Sequence, residues 1–205
     1  MKPSGIQWLP EVPEGWKCRK MKYLFKERSD KGHPEEPPLC STQAYGVIPQ
    51  SLYENRVVET SKEGLALQKL VKVGDFVISL RAFQGGIEIA HHRGIISAAY
   101  TILEPCDVGY SPYFRWLFKS QPFIELLKTC VTGIREGQNI NYPLLSRKFI
   151  PLPPLPEQRD IVAHIESKCG KIDALVEKLV GEVAALKEYR ERLIADVVTG
   201  QRKVA

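Results

Sequence analysis

PLPPLPEQRDIVAHIESKCGKIDALVEKLVGEVAALKEYRERLIADVV, Pro151–Val198, decides the architecture. A proline-rich hinge, Pro151–Pro156, ends abruptly, and no proline follows from Glu157 to Val198. Apolar residues then fall at Ile161, Ile165, Ile172, Leu175, Leu179, Val183, Leu186, Leu193 and Val197. Their steps of three, four and the sums of these are the spacing of a coiled-coil seam. Proline ahead of a helix fixes its entry direction, and Glu157 and Asp160 complement the positive end of the helix dipole. Gly200, following Thr199, is a suitable stop. A helix of about 42 residues is about 63 Å long at 1.5 Å per residue. That exceeds any ordinary globular core, so the helix needs a partner, and this chain offers no second one. The simplest solution is a two-fold dimer with antiparallel helices. The alternative is that Gly170 and Gly181 break the helix into pieces that fold back on the preceding domain.

Before the hinge the sequence changes kind. Short apolar runs bounded by Gly, Pro and Asn read as strands: Leu70–Val73, Phe76–Leu80, Ile87–Ala90, Ile95–Leu103 and Phe149–Leu152. Gly74-Asp75 and Gly85-Gly86 read as turns. Ser111–Leu117 and Pro122–Cys130 read as short helices, and Thr132–Tyr142, without apolar period, as a loop. The expected fold is therefore a mixed α+β or α/β domain over residues 1–156, followed by one long coiled-coil helix in 157–205.

The chain of 205 residues has 43% hydrophobic and 26% charged residues, which excludes disordered and collagen-like classes. Five scattered cysteines without a CxxC pair argue against a disulfide framework and a zinc site. With no apolar leader and no run of about 18 apolar residues, the expectation is a soluble, cytoplasmic protein. The net charge of +5 is uneven. The segment from Glu157 onward has nine basic and nine acidic residues, leaving 20 basic and 15 acidic residues before it. The basic part is the N-terminal part, as suits a polyanion-binding domain.

Catalytic signatures are missing. There is no phosphate-binding Gly-rich loop, no GxSxG and no HExxH. His91 and His92 are adjacent, so on a strand they face opposite sides and cannot chelate one metal. Glu166-Ser167-Lys168 resembles a nuclease Glu-x-Lys but falls inside the helix, where acids do not converge.

Base edges are read by Arg, Lys, Asn and Gln. Two segments carry these: Arg81-Ala82-Phe83-Gln84-Gly85-Gly86, and Arg135-Glu136-Gly137-Gln138-Asn139-Ile140-Asn141-Tyr142. Each could equally be an ordinary polar turn or surface loop. Arg81, Gln84, Gly85, His91, Arg135, Gln138, Asn139 and Asn141 are the candidates for DNA contact. Lys20, in the basic run Lys17–Lys22, is a candidate for phosphate, where contacts position without specifying. Should these fail, Gln43–Arg56 is the next segment to consider.

Four stretches together resemble the specificity subunit of type I restriction-modification systems. They are SGIQWLPEVPEGWKCRKMKYL, GDFVISLRAFQGGIEIAHHRGIISAAYTIL, GIREGQNINYPLLSRKFIPLPPLPEQRDIVAHI and KIDALVEKLVGEVAALKEYRERLIADVVTGQRKV, between Ser4 and Val204. The resemblance implies a non-catalytic, double-stranded-DNA-reading subunit that recruits an adenine-methylating modification subunit and a restriction subunit. S-adenosylmethionine, ATP and Mg would belong to those partners, so no cofactor is expected here. The family's usual chain has two recognition domains and two spacer helices; this sequence has one of each, like a half-subunit. A homodimer through Ile165, Ile172, Leu175, Leu179, Val183, Leu186 and Leu193 would restore the architecture. The competing classes are an enzyme with a dimerisation helix and a purely structural coiled-coil adaptor.

Overall fold

The computed structural model describes residues 1–53, 61–107, 111–133 and 139–203. The chain divides into two compact units, Met1–Arg159 and Asp160–Ala205.

The first unit opens with β1 (Lys2–Ile6), β2 (Leu9–Val12), β3 (Lys17–Lys20) and β4 (Phe25–Arg28). The hairpin strands β5 (Leu39–Thr42) and β6 (Gly46–Pro49) follow, then α1 (Lys62–Ala66), β7 (Lys69–Val71) and β8 (Phe76–Ile78). Next come α2 (Ala82–Gly85), β9 (Glu88–Ile89), β10 (Gly94–Ile96) and β11 (Thr101–Pro105). The unit continues through α3 (Ser111–Leu117), α4 (Gln121–Lys128), β12 (Val131–Thr132), β13 (Asn139–Ile140), α5 (Tyr142–Leu145) and β14 (Phe149–Leu152).

The central sheet is four-stranded and antiparallel, in the order β4-β11-β8-β9. Ile102 on β11 stands between Arg28 and Val77, which fixes the register. Two-stranded ribbons surround it: β1-β2, β5-β6, β7-β10, β12-β13 and β3-β14. Phe25, Phe76, Phe114, Phe118 and Phe123 are all buried and form one aromatic cluster. An edge-on pair at a centroid distance of 5.6 Å (Phe25–Phe76) links two strands of the sheet, and another at 5.1 Å (Phe76–Phe118) links the sheet to the end of α3. Phe114 and Phe118, four residues apart on one helical face, stack at 5.5 Å.

The two tryptophans of the opening sequence tie the N-terminus to the far end of this unit. Trp8 Nε1 donates to the Phe149 carbonyl (3.2 Å), and Trp16 Nε1 donates to Glu157 Oε1 (2.8 Å). Trp16 also meets Tyr113 edge-on. Buried Gln158 donates to the Pro153 carbonyl (2.8 Å), which secures the turn out of the hinge.

α6 runs unbroken from Leu155 to Val198, 44 residues. It begins two residues before the expected start, because Pro156 is tolerated in a first turn whose N–H groups lack intrahelical partners. Gly170 and Gly181 do not interrupt it. Leu175, Leu179, Val183 and Leu186 are 56, 50, 50 and 66% exposed. Solvent-side pairs Lys178–Glu182 (3.9 Å) and Arg192–Glu188 (2.8 Å) have helical i,i+4 spacing.

Three sequence expectations are corrected. Ile95–Leu103 is not one strand: β10 ends at Ile96, a turn closed by Tyr100 N on the Ser97 carbonyl (3.0 Å) intervenes, and β11 starts at Thr101. Gly85-Gly86 is no hairpin turn but the C-terminal end of α2, with Gly86 at φ +89°. Thr132–Tyr142 is not wholly a loop, since Thr132 pairs with Asn139 and α5 begins at Tyr142.

Candidate nucleic-acid interface

The first candidate segment packs beneath the β5-β6 hairpin. Thr42 closes the hairpin turn: its Oγ1 donates to the Gly46 carbonyl (3.0 Å) and accepts from Tyr45 N (3.0 Å). Gln43, Ala44 and Tyr45 are thereby exposed at the tip. The Gln43 side chain lies so close over Gly85 that a Cβ at Gly85 would collide with it. Gly86 is equally constrained, because a Cβ there would strike the Phe118 carbonyl.

Lys119, just after α3, binds these parts together. Its Nζ donates to the carbonyls of Gln43 (3.2 Å) and Gly85 (3.1 Å) and forms an ion pair with Glu88. Glu88 is 3% exposed, and burial pushes its carboxyl up to about 6 against the opposing pull of Lys119. Beside this clamp lies a cleft of about 690 Å³ lined by Ser41–Tyr45, Tyr53, Ser79–Arg81 and Tyr100. Arg81 is exposed at the N-terminal edge of α2, its side chain making no capping bond, and Gln84 is exposed within α2. His91 stands against Gly46, and its N–H donates to the Val47 carbonyl (3.4 Å). Partial desolvation of its ring, then Arg115 and His92 nearby, hold its pKa below the ordinary value. Arg81, Gly85 and His91 therefore adjoin one hairpin, and Gln84 is exposed next to Gly85 in α2.

The second segment is placed differently. Arg135 and Gln138 lie outside the described residues. Asn139 is exposed on β13, opposite Thr132. Asn141 caps α5: its Oδ1 accepts from Leu144 N (3.0 Å), and its own N–H donates to the Cys130 carbonyl (2.8 Å). Lys20 ends β3, its ammonium 5.4 Å from the Phe149 ring centroid. Within Gln43–Arg56 the tip residues Gln43 and Tyr45 belong to the hairpin surface, while Glu54–Arg56 lie outside the described residues. Sequence reasoning singled out neither Lys119 nor Arg115. Their neighbours Gln43, Glu88 and His91 are remote in sequence. Among the described residues no group of three or more His, Cys, Asp or Glu could hold a metal ion. No described helix is long and apolar enough to cross a membrane.

The fold has solved counterparts. Over 91% of its length the chain superposes on 45% of the HsdS subunit from Thermoanaerobacter tengcongensis, with TM-score 0.56 and 20% identity. It superposes equally on 46% of a chain from a study of complex assembly and conformational transition of the type I R-M system, with TM-score 0.61 and 21% identity. The fold is that of a type I specificity subunit. This chain, one mixed α/β domain and one long helix, spans about half the length of those two chains. No protein-family model and no curated protein matches the chain.

Proposed function

We propose that this chain is the non-catalytic DNA-sequence-recognition subunit of a type I restriction-modification complex, acting as a half-subunit. The observation that carries the reading is a specificity-subunit fold covering nearly all of this chain but under half of its counterparts, joined to a helix whose apolar residues stand exposed. Two copies pair their helices antiparallel, so that each domain reads one half of a bipartite site. Two-fold protein symmetry then imposes an interrupted palindrome, with a gap on the order of one to two ~34 Å DNA turns. The dimer recruits the adenine methyltransferase and restriction subunits in the cytoplasm; S-adenosylmethionine, ATP and Mg are bound by those partners.

The test is selection from a pool of randomised DNA duplexes by the chain assembled with its modification subunit. A two-part symmetric motif should be enriched, and its adenines should be methylated. Arg81→Ala and Gln84→Ala should lower discrimination by ~1–3 kcal/mol per lost base contact. Lys20→Ala should weaken all duplexes alike and reduce the salt slope by about one. Enrichment of no sequence, or turnover by the isolated chain, overturns the reading.

A further inference from the structure

The continuous α6 carries a stricter pattern than an apolar stripe. Ile165, Ile172, Leu179, Leu186 and Leu193 recur every seven residues, the d positions of a heptad. Three residues before each stand Val162, Cys169, Val176, Val183 and Arg190, with Val197 completing the a series. In two antiparallel helices related by a two-fold axis, each a residue packs in a layer with a d residue of the other copy. The flanking e positions then face e positions, and g face g.

Sliding one helix along the other in whole heptads leaves few registers, and the flanking residues separate them. With the axis passing beside Val180 and Gly181, Asp173 faces the partner's Lys187, and Lys168 faces the partner's Asp196. In that register Val180 meets its own copy, and Leu175 meets the partner's Tyr189. Val176, Leu179, Val180 and Val183, half or more exposed in the single chain, all become covered at the centre. Its unfavourable contacts are Glu182 against its own copy near the axis and Glu166 against the partner's Ile194. A heptad shift one way sets Asp173 against Val180 and Leu175 against Glu182. The opposite shift sets Asp173 against Ile194 and Leu175 against Asp196. Each shift sets at least two carboxylates per chain on apolar side chains, where the register centred at Val180 sets one, Glu166, and such desolvation is costly. A parallel pair also matches charges on its flanks but stacks Arg190 on Arg190 and Cys169 on Cys169 within the seam.

We infer that two copies of this chain associate through α6 in the antiparallel register centred at Val180, with Cys169 layered against the partner's Leu193 and Arg190 against the partner's Ile172. This rests on the antiparallel dimer proposed above and adds its register.

Native Cys169 is a built-in probe, because a disulfide forms only where Cα atoms come within about 7 Å. The full chain is oxidised mildly, and crosslinked peptides are mapped by mass spectrometry. Leu193→Cys should yield covalent dimers joined between Cys169 and position 193. The same variant with Cys169→Ser should lose that link. Leu186→Cys should not crosslink to Cys169; if it does, and Leu193→Cys does not, the register is wrong by a heptad. A Cys169–Cys169 link in the unsubstituted chain indicates parallel helices and overturns the antiparallel reading itself. Asp173→Lys should weaken association, and adding Lys187→Asp should restore it. Loss of DNA selection with an intact Cys169–193 link would count against the recognition role and leave the register standing.

Discussion

The two units of this chain use apolar residues in opposite ways. In Met1–Arg159 the large apolar side chains are consumed internally: Phe25, Phe76, Phe114, Phe118 and Phe123 are almost fully enclosed, and what faces outward at the hairpin is Gln43, Tyr45, Arg81 and Gln84. In the helix, Ile172, Leu175, Leu179, Val183 and Leu186 are half or more exposed. A domain that satisfies its own core can present polar side chains to a polyanion. A single helix cannot bury its own stripe, which is why the proposed function pairs it with a second copy. Under the proposed function the contrast would divide the work, recognition falling to the first unit and assembly to the helix.

The largest expected effect breaks that division at the helix. Leu179→Asp with Leu186→Asp places two carboxylates in the seam, and the dimer should dissociate to monomers in light scattering. The melting of the Met1–Arg159 unit should not move, because its aromatic core lies wholly within that unit. A dimer that survives the double substitution would show that assembly runs through the domain. Loss of the domain's own transition would mean the two units are not separable.

Much of this contrast was legible in the sequence, and for a physical reason. A spacing of three and four over Ile161–Val197 marks a helix, and its two glycines, at about 1 kcal/mol each, left open a break that the unbroken α6 resolves. The domain was legible only in part. Phe76–Leu80 and Phe149–Leu152 stood out as short apolar runs and hold β8 and β14, but Ile95–Leu103 contains Ser97-Ala98-Ala99, small residues that turn the chain. β1 to β6 went unread: Lys2–Ile6 contains Pro3 and Gly5, and β3 is paired by β14, with Cys18 opposite Pro151. Such pairings are set by distant partners and leave no local period. The site followed the same rule. The segment at Arg81 was visible as a polar turn, whereas the Lys119 clamp joins Gln43, Gly85 and Glu88 across the sequence.

A smaller effect sharpens the comparison within the domain. The Glu88 carboxyl has its folded pKa raised from 4.5 to about 6, chiefly by burial. Below the unfolded value both states are protonated. As pH rises from 4.5 to 6 the unfolded chain releases the proton first, so this group's contribution to stability falls by up to ~2 kcal/mol and is constant above. Glu88→Gln cannot titrate, so the difference between the two denaturation curves should grow through that window and level off near pH 7. A difference independent of pH would place the Glu88 carboxylate in water and remove the buried clamp beneath the hairpin.

The smallest effect decides what Asn141 is for. Its side-chain oxygen accepts from Leu144 N at 3.0 Å and caps α5, a single turn. Replacing an Asn cap with Ala typically costs about 1 kcal/mol, so Asn141→Ala should lower the midpoint of unfolding by that amount at unchanged m-value. Asn139, exposed on β13 and two residues earlier, holds no such bond, and Asn139→Ala should cost a few tenths of a kcal/mol at most. The same pair is then compared for discrimination between the selected DNA motif and its mismatched variants. If Asn139→Ala relaxes discrimination while Asn141→Ala only destabilises, the two asparagines divide as the two units do, one turned outward to a ligand and one spent on the fold. If Asn141→Ala keeps full stability and loses discrimination, its amide is turned to DNA and the cap is supplied by another group.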